Sequence, residues 1–508
     1  MTTRTFRPYE PTQVFLLPPS MQDWLPAKHL AYFILDIVPT LNLDGILKFY
    51  GPTARGTVPF DPRMMVGVLL YAYCVGTPSS RRIAKRLEED IGFRVLAASQ
   101  QPDFRTISEF RRLHLESLKS LFVQALRLCQ KAGLVKLGQV ALDGTKIKAN
   151  ASKHKAMSYD RMAKEEQRLQ AEVEQLLREA EETDAREDTL YGKDKRGDEL
   201  PEELAFRETR LKKIREAKEA LEKEAIEAAR SKGVESPEDT KPKEKAQKNF
   251  TDPESRIMPS SSDKGSFVQA YNAQAAVDAK AQVIVAADVT QETNDKQQAR
   301  PMLKQAKENT AQTPGKALMD AGYFSEDNIK SVETLGTEPF IPPDRLKHGQ
   351  PVKKCPRGPI PTGLSAAELM RRKLSTKRGR TIYAERKKIV EPVFGQIKQG
   401  RGFRQFLLRG LQKVQGEWSL ICTTHNLLKL WSSKQSTVSV QRRHLWITLG
   451  TIANEQPGRL RLRSVDEKIK NDPRASRWGG GSGHPGLDSR LRGNDGEWGR
   501  AGILMSEV

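Results

Sequence analysis

The chain has 508 residues, too many for one ordinary core, so two to four structural units are expected. Only 37% of residues are hydrophobic and 29% are charged, which assigns part of the chain to solvated helix or linker. The net charge of +21 points to a polyanionic partner, with nucleic acid first and an anionic membrane second.

The membrane reading fails on length. The longest apolar run, near Met64 to Val75, falls short of the ~18–20 residues of a spanning helix. The opening MTTRTFRPYEPTQ has no apolar signal-peptide core, and a reducing cytoplasm is expected. Cys74, Cys129, Cys355 and Cys422 form no CxxC pair, so neither disulfide framework nor zinc finger is indicated. Cys422 and His425 make a CxxH step with no second ligand pair, which reads as packing.

Residues 1–135 read as an all-α domain. Apolar positions recur at helical spacing through Leu30, Phe33, Ile34 and Ile37, then through Met64–Val75. SSRRIAKRLEED starts a further helix at Ser79–Ser80, and Thr106 with Glu109 has capping-box spacing before Phe110, Leu118 and Leu126. Arg81, Arg82, Lys85 and Arg105 on these short helices suit a helix-turn-helix-like DNA-binding unit, although an ordinary solvated face explains them equally well.

The texture changes at Gly138, where QVALDGTKIKA reads as a strand with Asp143 at its tip. Residues 158–250 are densely charged with both signs, and two leucine stripes around TLYGKDKRGDELP predict a coiled-coil hairpin followed by a flexible Lys/Glu-rich linker. Strand texture resumes in SFVQAYNAQAAVDAKAQVIVAADVT, a hairpin across DAKAQ. Its Asn272, Gln274 and Asp278 read as packing or solvent-facing. A helix from about 295 to 309, a short strand ending at Asp320, another helix and the strand EPFIPP follow.

Between Pro342 and Leu411 there are 18 Lys/Arg against 4 Asp/Glu. Residues 383–398 of this stretch are helix-compatible, and apolar helical texture continues through Trp418 to Leu430. Residues 432–508 read as a poorly structured tail, and PGLDSRLRGNDG near its end resembles translated intergenic repeats, as if read through an earlier stop.

Strand, hairpin, helix, strand and helix, with carboxylates at strand ends and a glutamate on a late helix, is the order of a ribonuclease-H-like α/β core. That core is expected over 136–157 and 251–431, with 158–250 inserted into it. Phosphodiester chemistry with two divalent ions ~3.5–4 Å apart needs hard anionic oxygens on rigid elements. Asp143, Asp320 and Glu391 are the candidates. Glu391 lies beside Val390, Val393 and Phe394, and Lys398 is two helical turns further along the same face.

VALDGTKIKANAS, YNAQAAVD, DAGY and VEPVFGQIKQGRGFRQFLLRG resemble the DDE transposases of bacterial insertion sequences. The resemblance lies in the assemblage of families four and five and is strongest to the group called eleven-eighty-two. It covers about Phe6 to Trp431, interrupted by the charged insert. The family's Tyr–Arg–Glu–Lys signature matches Tyr383, Arg386, Glu391 and Lys398. Four residues separate Arg386 from Glu391 where the broad pattern has three, and Lys387 stands at the expected arginine position.

The resemblance implies a catalytic and metal-binding triad of Asp143, Asp320 and Glu391 holding two Mg²⁺, with Mn²⁺ as a substitute. It also implies that Tyr383, Arg386 and Lys398 contact the DNA backbone, with Arg401 and Arg404 of the same basic stretch beside them. The implied partners are double-stranded transposon ends and target DNA, bound by a homodimer or larger homo-oligomer. A catalytically dead DNA-binding descendant and a non-transposing nuclease of the same fold are the alternatives.

Overall fold

The computed structural model describes residues 20–50, 58–191, 202–231, 233, 236–260, 265–344, 358–361 and 363–454. Of the poorly structured tail expected over 432–508, residues 432–454 are instead helical, and the remainder lies outside the described residues. Residues Met1–Ser439 form one compact unit, and Val440–Val508 form a second.

Helices come first: α1 (Met21–Trp24), α2 (Leu30–Ile37), α3 (Asp44–Leu47) and α4 (Pro62–Cys74). α4 is buried from Met65 through Cys74, so its apolar run belongs to the core. α5 (Ser80–Glu89) buries Ser80, Ile83 and Leu87 at helical spacing and turns Arg81, Arg82 and Lys85 outward. α6 (Ile91–Leu96) leads to α7 (Phe104–Leu113) and α8 (Leu115–Lys131). The expected capping box at Thr106 is corrected by the structure. The cap is Asp103, whose carboxylate accepts from Thr106 N–H at 2.6 Å, while Glu109 pairs with Arg112 instead. The helix expected to run on unbroken divides at His114, which is buried and bonded to the Tyr50 hydroxyl.

β1 (Val140–Lys148) and β2 (Ala156–Ser158) precede two long helices, α9 (Tyr159–Tyr191) and α10 (Glu202–Ser231). The ion pairs Glu172–Arg207, Glu165–Arg210 and Glu166–Lys218 show that these run antiparallel. Leu169, Ile214 and Leu221 lie between them. The stretch expected to be a flexible linker to Phe250 is instead folded. β3 (Gln247–Asn249) pairs with β2, and Glu224 binds Lys248 at 2.8 Å, so complementary charge fixes what composition made look loose.

β4 (Arg256–Pro259), β5 (Phe267–Asp278) and β6 (Ile284–Thr290) are followed by α11 (Ala299–Thr310), β7 (Lys316–Leu318), α12 (Glu326–Thr334) and β8 (Glu338–Phe340). α13 (Ala366–Ser375), α14 (Lys377–Gly395), a π turn over Gln396–Gly400 and α15 (Leu411–Asn454) complete the chain order. The sheet runs β4-β5-β1-β7-β8, with β6 sharing an edge of β5 with β4. β5 is antiparallel to β1, and β7 is parallel to both β1 and β8. One continuous core joins the N-terminal helices, the sheet and α15. Trp418 of α15 is fully buried and donates its indole N–H to the Gln274 carbonyl of β5 at 3.0 Å. Burying so large a side chain contributes about 1.5–3 kcal/mol.

Candidate active site

β1 has a gap along one edge. β5 pairs with all of Val140–Lys148 on the other side. On this side β7 reaches only Val140 and Ala141. At the far end Lys148 N–H donates to Arg404 O, and Phe406 N–H donates to Lys148 O. Among the described residues no strand pairs with 142–147 between them. Charged side chains gather along this gap.

Ala141 pairs with Leu318, and two residues beyond each lie Asp143 and Asp320. Asp143 is therefore in the middle of a nine-residue strand rather than at its tip. Its position matters because the neighbouring strand, not its own, ends there. Asp320 caps the turn Ala321–Tyr323, accepting from Gly322 N–H at 2.8 Å. Burial pushes the Asp143 carboxyl up to about 6; the Arg386 guanidinium opposes this and the Asp320 charge adds to it. Arg386 of α14 reaches Asp143 Oδ2 at 2.9 Å, with both side chains at least four-fifths covered. Tyr383, one turn earlier, is half-buried beside Arg386.

A further carboxylate stands nearby. Asp295 Oδ1 accepts from Asn272 Nδ2 at 2.7 Å and Gln274 Nε2 at 2.6 Å, and lies 3.9 Å from Lys146 Nζ. The Tyr323 hydroxyl donates to Gln274 Oε1. Asn328 Nδ2 bonds both Lys296 O and Tyr323 O, clamping the Asp295 loop to the Asp320 turn. Two glycines make room. A Cβ on Gly144 would meet Gln274 Nε2 at 2.3 Å and Asp295 Oδ1 at 2.6 Å. A Cβ on Gly322 would meet Asp320 Oδ1 at 2.9 Å and Asp295 Oδ2 at 3.6 Å.

Cations line the next stretch of the gap. Lys398 Nζ donates to Lys146 O at 2.8 Å, and burial, with Lys146 beside it, pushes its amine down to about 8. Lys146, Lys148, Lys398 and Arg404 border a cavity of about 400 Å³ whose apolar wall includes Val268 and Phe394. Such a cavity suits a phosphate-bearing chain.

Two comparisons bear on this arrangement. Residues 231–427 match the Transposase DDE domain, and residues 19–113 match a transposase domain (DUF772). The chain belongs to the DDE transposases of insertion sequences. No curated protein and no solved structure matches it. The DDE match takes in Asp320, Glu391 and the basic helix and begins after β1, whose Asp143 lies beside Asp320 through the pairing of β1 with β7.

The transposase is a metal-dependent DNA-cutting enzyme of mixed α/β fold, and enzymes of its family generally use divalent metal ions. The residues along the gap fit such an ion. Asp143 and Asp320 offer hard oxygens, and burial, with the Asp320 charge adding to it, raises Asp143 in a way that a cation would relieve. Asn272 is fully buried, yet its Oδ1 has no hydrogen-bond partner. Among the described residues, no set of three His, Cys, Asp or Glu side chains stands at metal-holding distance. Arg386 occupies the electrostatic role instead.

Glu391 lies five residues beyond Arg386 on α14, about 7.5 Å along the axis, with its side chain exposed. It follows Val390, which is buried, and precedes Pro392, which leaves the Lys388 carbonyl without its usual helical donor. Gln282 Nε2 fills that vacancy at 2.9 Å.

Arg401, expected beside DNA, is turned inward. Its guanidinium donates to Tyr73 O, Ile421 O and Thr424 Oγ1, and burial lowers it to about 10. Those bonds tie α4 to α15 and leave no fork for a phosphate. Arg404 remains exposed, as do Arg81, Arg82, Lys85 and Arg105. Arg81 and Arg105 both stack over the Phe104 ring, at 5.3 and 5.7 Å. Asn272 and Gln274, read as packing from sequence, hold Asp295. Asp278 accepts from Leu137 N–H at 2.6 Å and so orients the entry to β1. Asp295 itself escaped notice because it lies in the polar loop TQETNDKQQ, where nothing in the pattern separates it from its neighbours. Cys422 and His425 are both buried, and His425 bonds the Gln282 carbonyl at 3.0 Å as a packing residue.

Proposed function

We propose that the protein binds the terminal inverted repeats of its own insertion sequence, cuts a strand at the element end and joins the freed end to target DNA. The core is read as ribonuclease-H-like, with Asp143, Asp320 and Glu391 holding two Mg²⁺. When bound, those ions supply activation of the attacking oxygen and neutralisation of the leaving one. The observation that carries this reading is the placing of Asp143 and Asp320 each two residues beyond the last paired residues of β1 and β7, with Arg386 reaching Asp143 from α14.

The chain's own residues prepare the site. Arg386 holds Asp143 in place until a DNA phosphate draws the guanidinium away. Tyr383 keeps Arg386 in the gap. Lys398 and Arg404 grip the backbone beside the cut, while β5 and α14 exclude bulk water from Asp143. Glu391 stands next to Pro392 and the π turn, the least tightly bonded part of α14, so a small unwinding there brings its carboxylate toward the pair. Arg81, Arg82, Lys85 and Arg105 form an exposed basic face for the repeat. Two ends must meet for transposition, which calls for at least a dimer, and the setting is the bacterial cytoplasm.

The test is Mg²⁺-dependent nicking of an inverted-repeat duplex by wild type, Asp143→Asn and Asp320→Asn. Loss of nicking with retained duplex binding supports the assignment. Equal nicking by all three proteins would reject it.

A further inference from the structure

The two aspartates do not stand alone in the gap. Asp295 lies against Gly144 of β1 and near the Asp320 turn, and three features of the surroundings are arranged around it. Gly144, next to Asp143, lacks the side chain that would strike Asp295 Oδ1, while Gly322, next but one to Asp320, leaves open the space that Asp320 Oδ1 and Asp295 Oδ2 both border. Asn272 and Gln274, adjacent on the same face of β5, both donate to its Oδ1. Asn328 bolts its loop to the Asp320 turn through Lys296 O and Tyr323 O. A solvated loop aspartate needs none of these.

The two oxygens of Asp295 have different surroundings. Oδ1 is taken by the two amides, while Oδ2 faces the space above Gly322, which Asp320 Oδ1 also borders. Measured from one common point, those oxygens lie 3.6 and 2.9 Å away, so a modest rotation brings them within reach of one cation. A second observation points to a missing group. Asn272 is fully buried and already donates through Nδ2, but its Oδ1 has no partner, although it lies 2.8 Å from the spot where Asp295 Oδ1 is at 2.6 Å. A buried carbonyl left empty costs about 1–3 kcal/mol, and the water shell of a hydrated cation supplies the donor it lacks.

We propose that Asp295 is a further ligand of the divalent-metal centre, sharing a cation with Asp320, with Asn272 accepting from that cation's water. Lys146, whose ammonium lies 3.9 Å from Asp295, balances the charge while the cation is away and turns to the DNA backbone when it arrives. This rests on the proposed roles of Asp143 and Asp320.

Asp295→Asn separates ligation from scaffolding. The amide oxygen still accepts from Asn272 and Gln274, so the network and the fold are kept, but the charge and most of the metal affinity are removed. The probe is Mn²⁺ alone, titrated into the full-length protein without DNA, with free Mn²⁺ read by electron paramagnetic resonance. Asp143→Asn and Asp320→Asn run in parallel, and each protein is melted without metal.

The expected result is a tenfold or greater loss of Mn²⁺ affinity, or loss of one equivalent, in Asp295→Asn with an unchanged melting temperature. Wild-type Mn²⁺ binding by Asp295→Asn, with weakened binding by the other two variants, would overturn the role of Asp295 alone. Wild-type binding by all three would overturn the metal centre on which it rests. A lower melting temperature with wild-type Mn²⁺ binding would make Asp295 a structural residue and overturn the proposal.

Discussion

Arg386 of α14 sits 2.9 Å from Asp143 of β1, so a protein side chain supplies a positive charge at the carboxylate proposed to hold metal. The pair is enclosed, and the guanidinium and a divalent ion compete for the same carboxylate. Arg386→Gln is therefore expected to strengthen Mn²⁺ binding by the DNA-free protein, by up to about tenfold or 1.4 kcal/mol, while lowering strand cleavage. Titration with and without repeat DNA checks both. Mn²⁺ affinity unmoved by the substitution would remove the competition.

Glu391 is exposed and makes no contact on which the fold depends. Glu391→Gln should leave the melting temperature unchanged, since surface changes cost within about 0.5 kcal/mol. Cleavage should fall at least a hundredfold. Calorimetry alongside a nicking assay separates the two readouts, and full nicking by this variant would take Glu391 out of the triad.

Lys398 gives a pH signature. Its amine is lowered to about 8 by burial, with Lys146 adding to the effect, whereas the unfolded chain holds the proton to about 10.4. The charge that serves a DNA phosphate is present below about 8 and lost above it. The same group makes folding more favourable as pH rises from about 8 to 10.4, because the unfolded state then binds more protons. Wild-type affinity for repeat DNA should fall between pH 7 and 9, with a shallower salt dependence, and Lys398→Arg should flatten that fall. Parallel pH profiles for the two proteins would contradict it.

Arg401 bonds only to neutral acceptors inside the protein. Arg401→Ala should destabilise the chain by about 3 kcal/mol, because two carbonyls and a hydroxyl lose charge-assisted donors. The salt dependence of DNA binding should stay as it was. Urea denaturation and mobility shifts at several salt concentrations test the pair of outcomes, and a reduced salt slope would return Arg401 to the DNA.

Gly144 has no room for a side chain, since a Cβ there would lie 2.3 Å from Gln274 Nε2. Gly144→Ala should cost about 1–3 kcal/mol by overpacking and reduce cleavage by displacing Asp295. Thermal melts and nicking rates measure both effects.

Patterns with a period could be read directly from the chain. Alternation revealed the β5–β6 hairpin around DAKAQ, and a short apolar run ending in Asp320 revealed β7. Features that depend on chain pairing could not be read this way. Asp143 looked like a strand end, because no local pattern shows that β5 carries β1 on to Lys148 while β7 stops at Leu318 and leaves the other edge open beyond Ala141. Arg401 looked like its basic neighbours, because which arginine turns inward is decided by carbonyls on α4 and α15, far away in sequence. Asp295 carried no periodic mark, being defined by two amides on β5 and the absent Cβ of Gly144.

Asp143 and its partner Arg386 are 243 residues apart. At synthesis rates of about 5–20 residues per second, the strand bearing the first carboxylate waits roughly 12–50 seconds before its counter-charge leaves the ribosome. Trp418, which closes the core over Gln274, arrives later still. A truncated nascent chain thus has the first aspartate but neither its counter-charge nor a closed pocket around it.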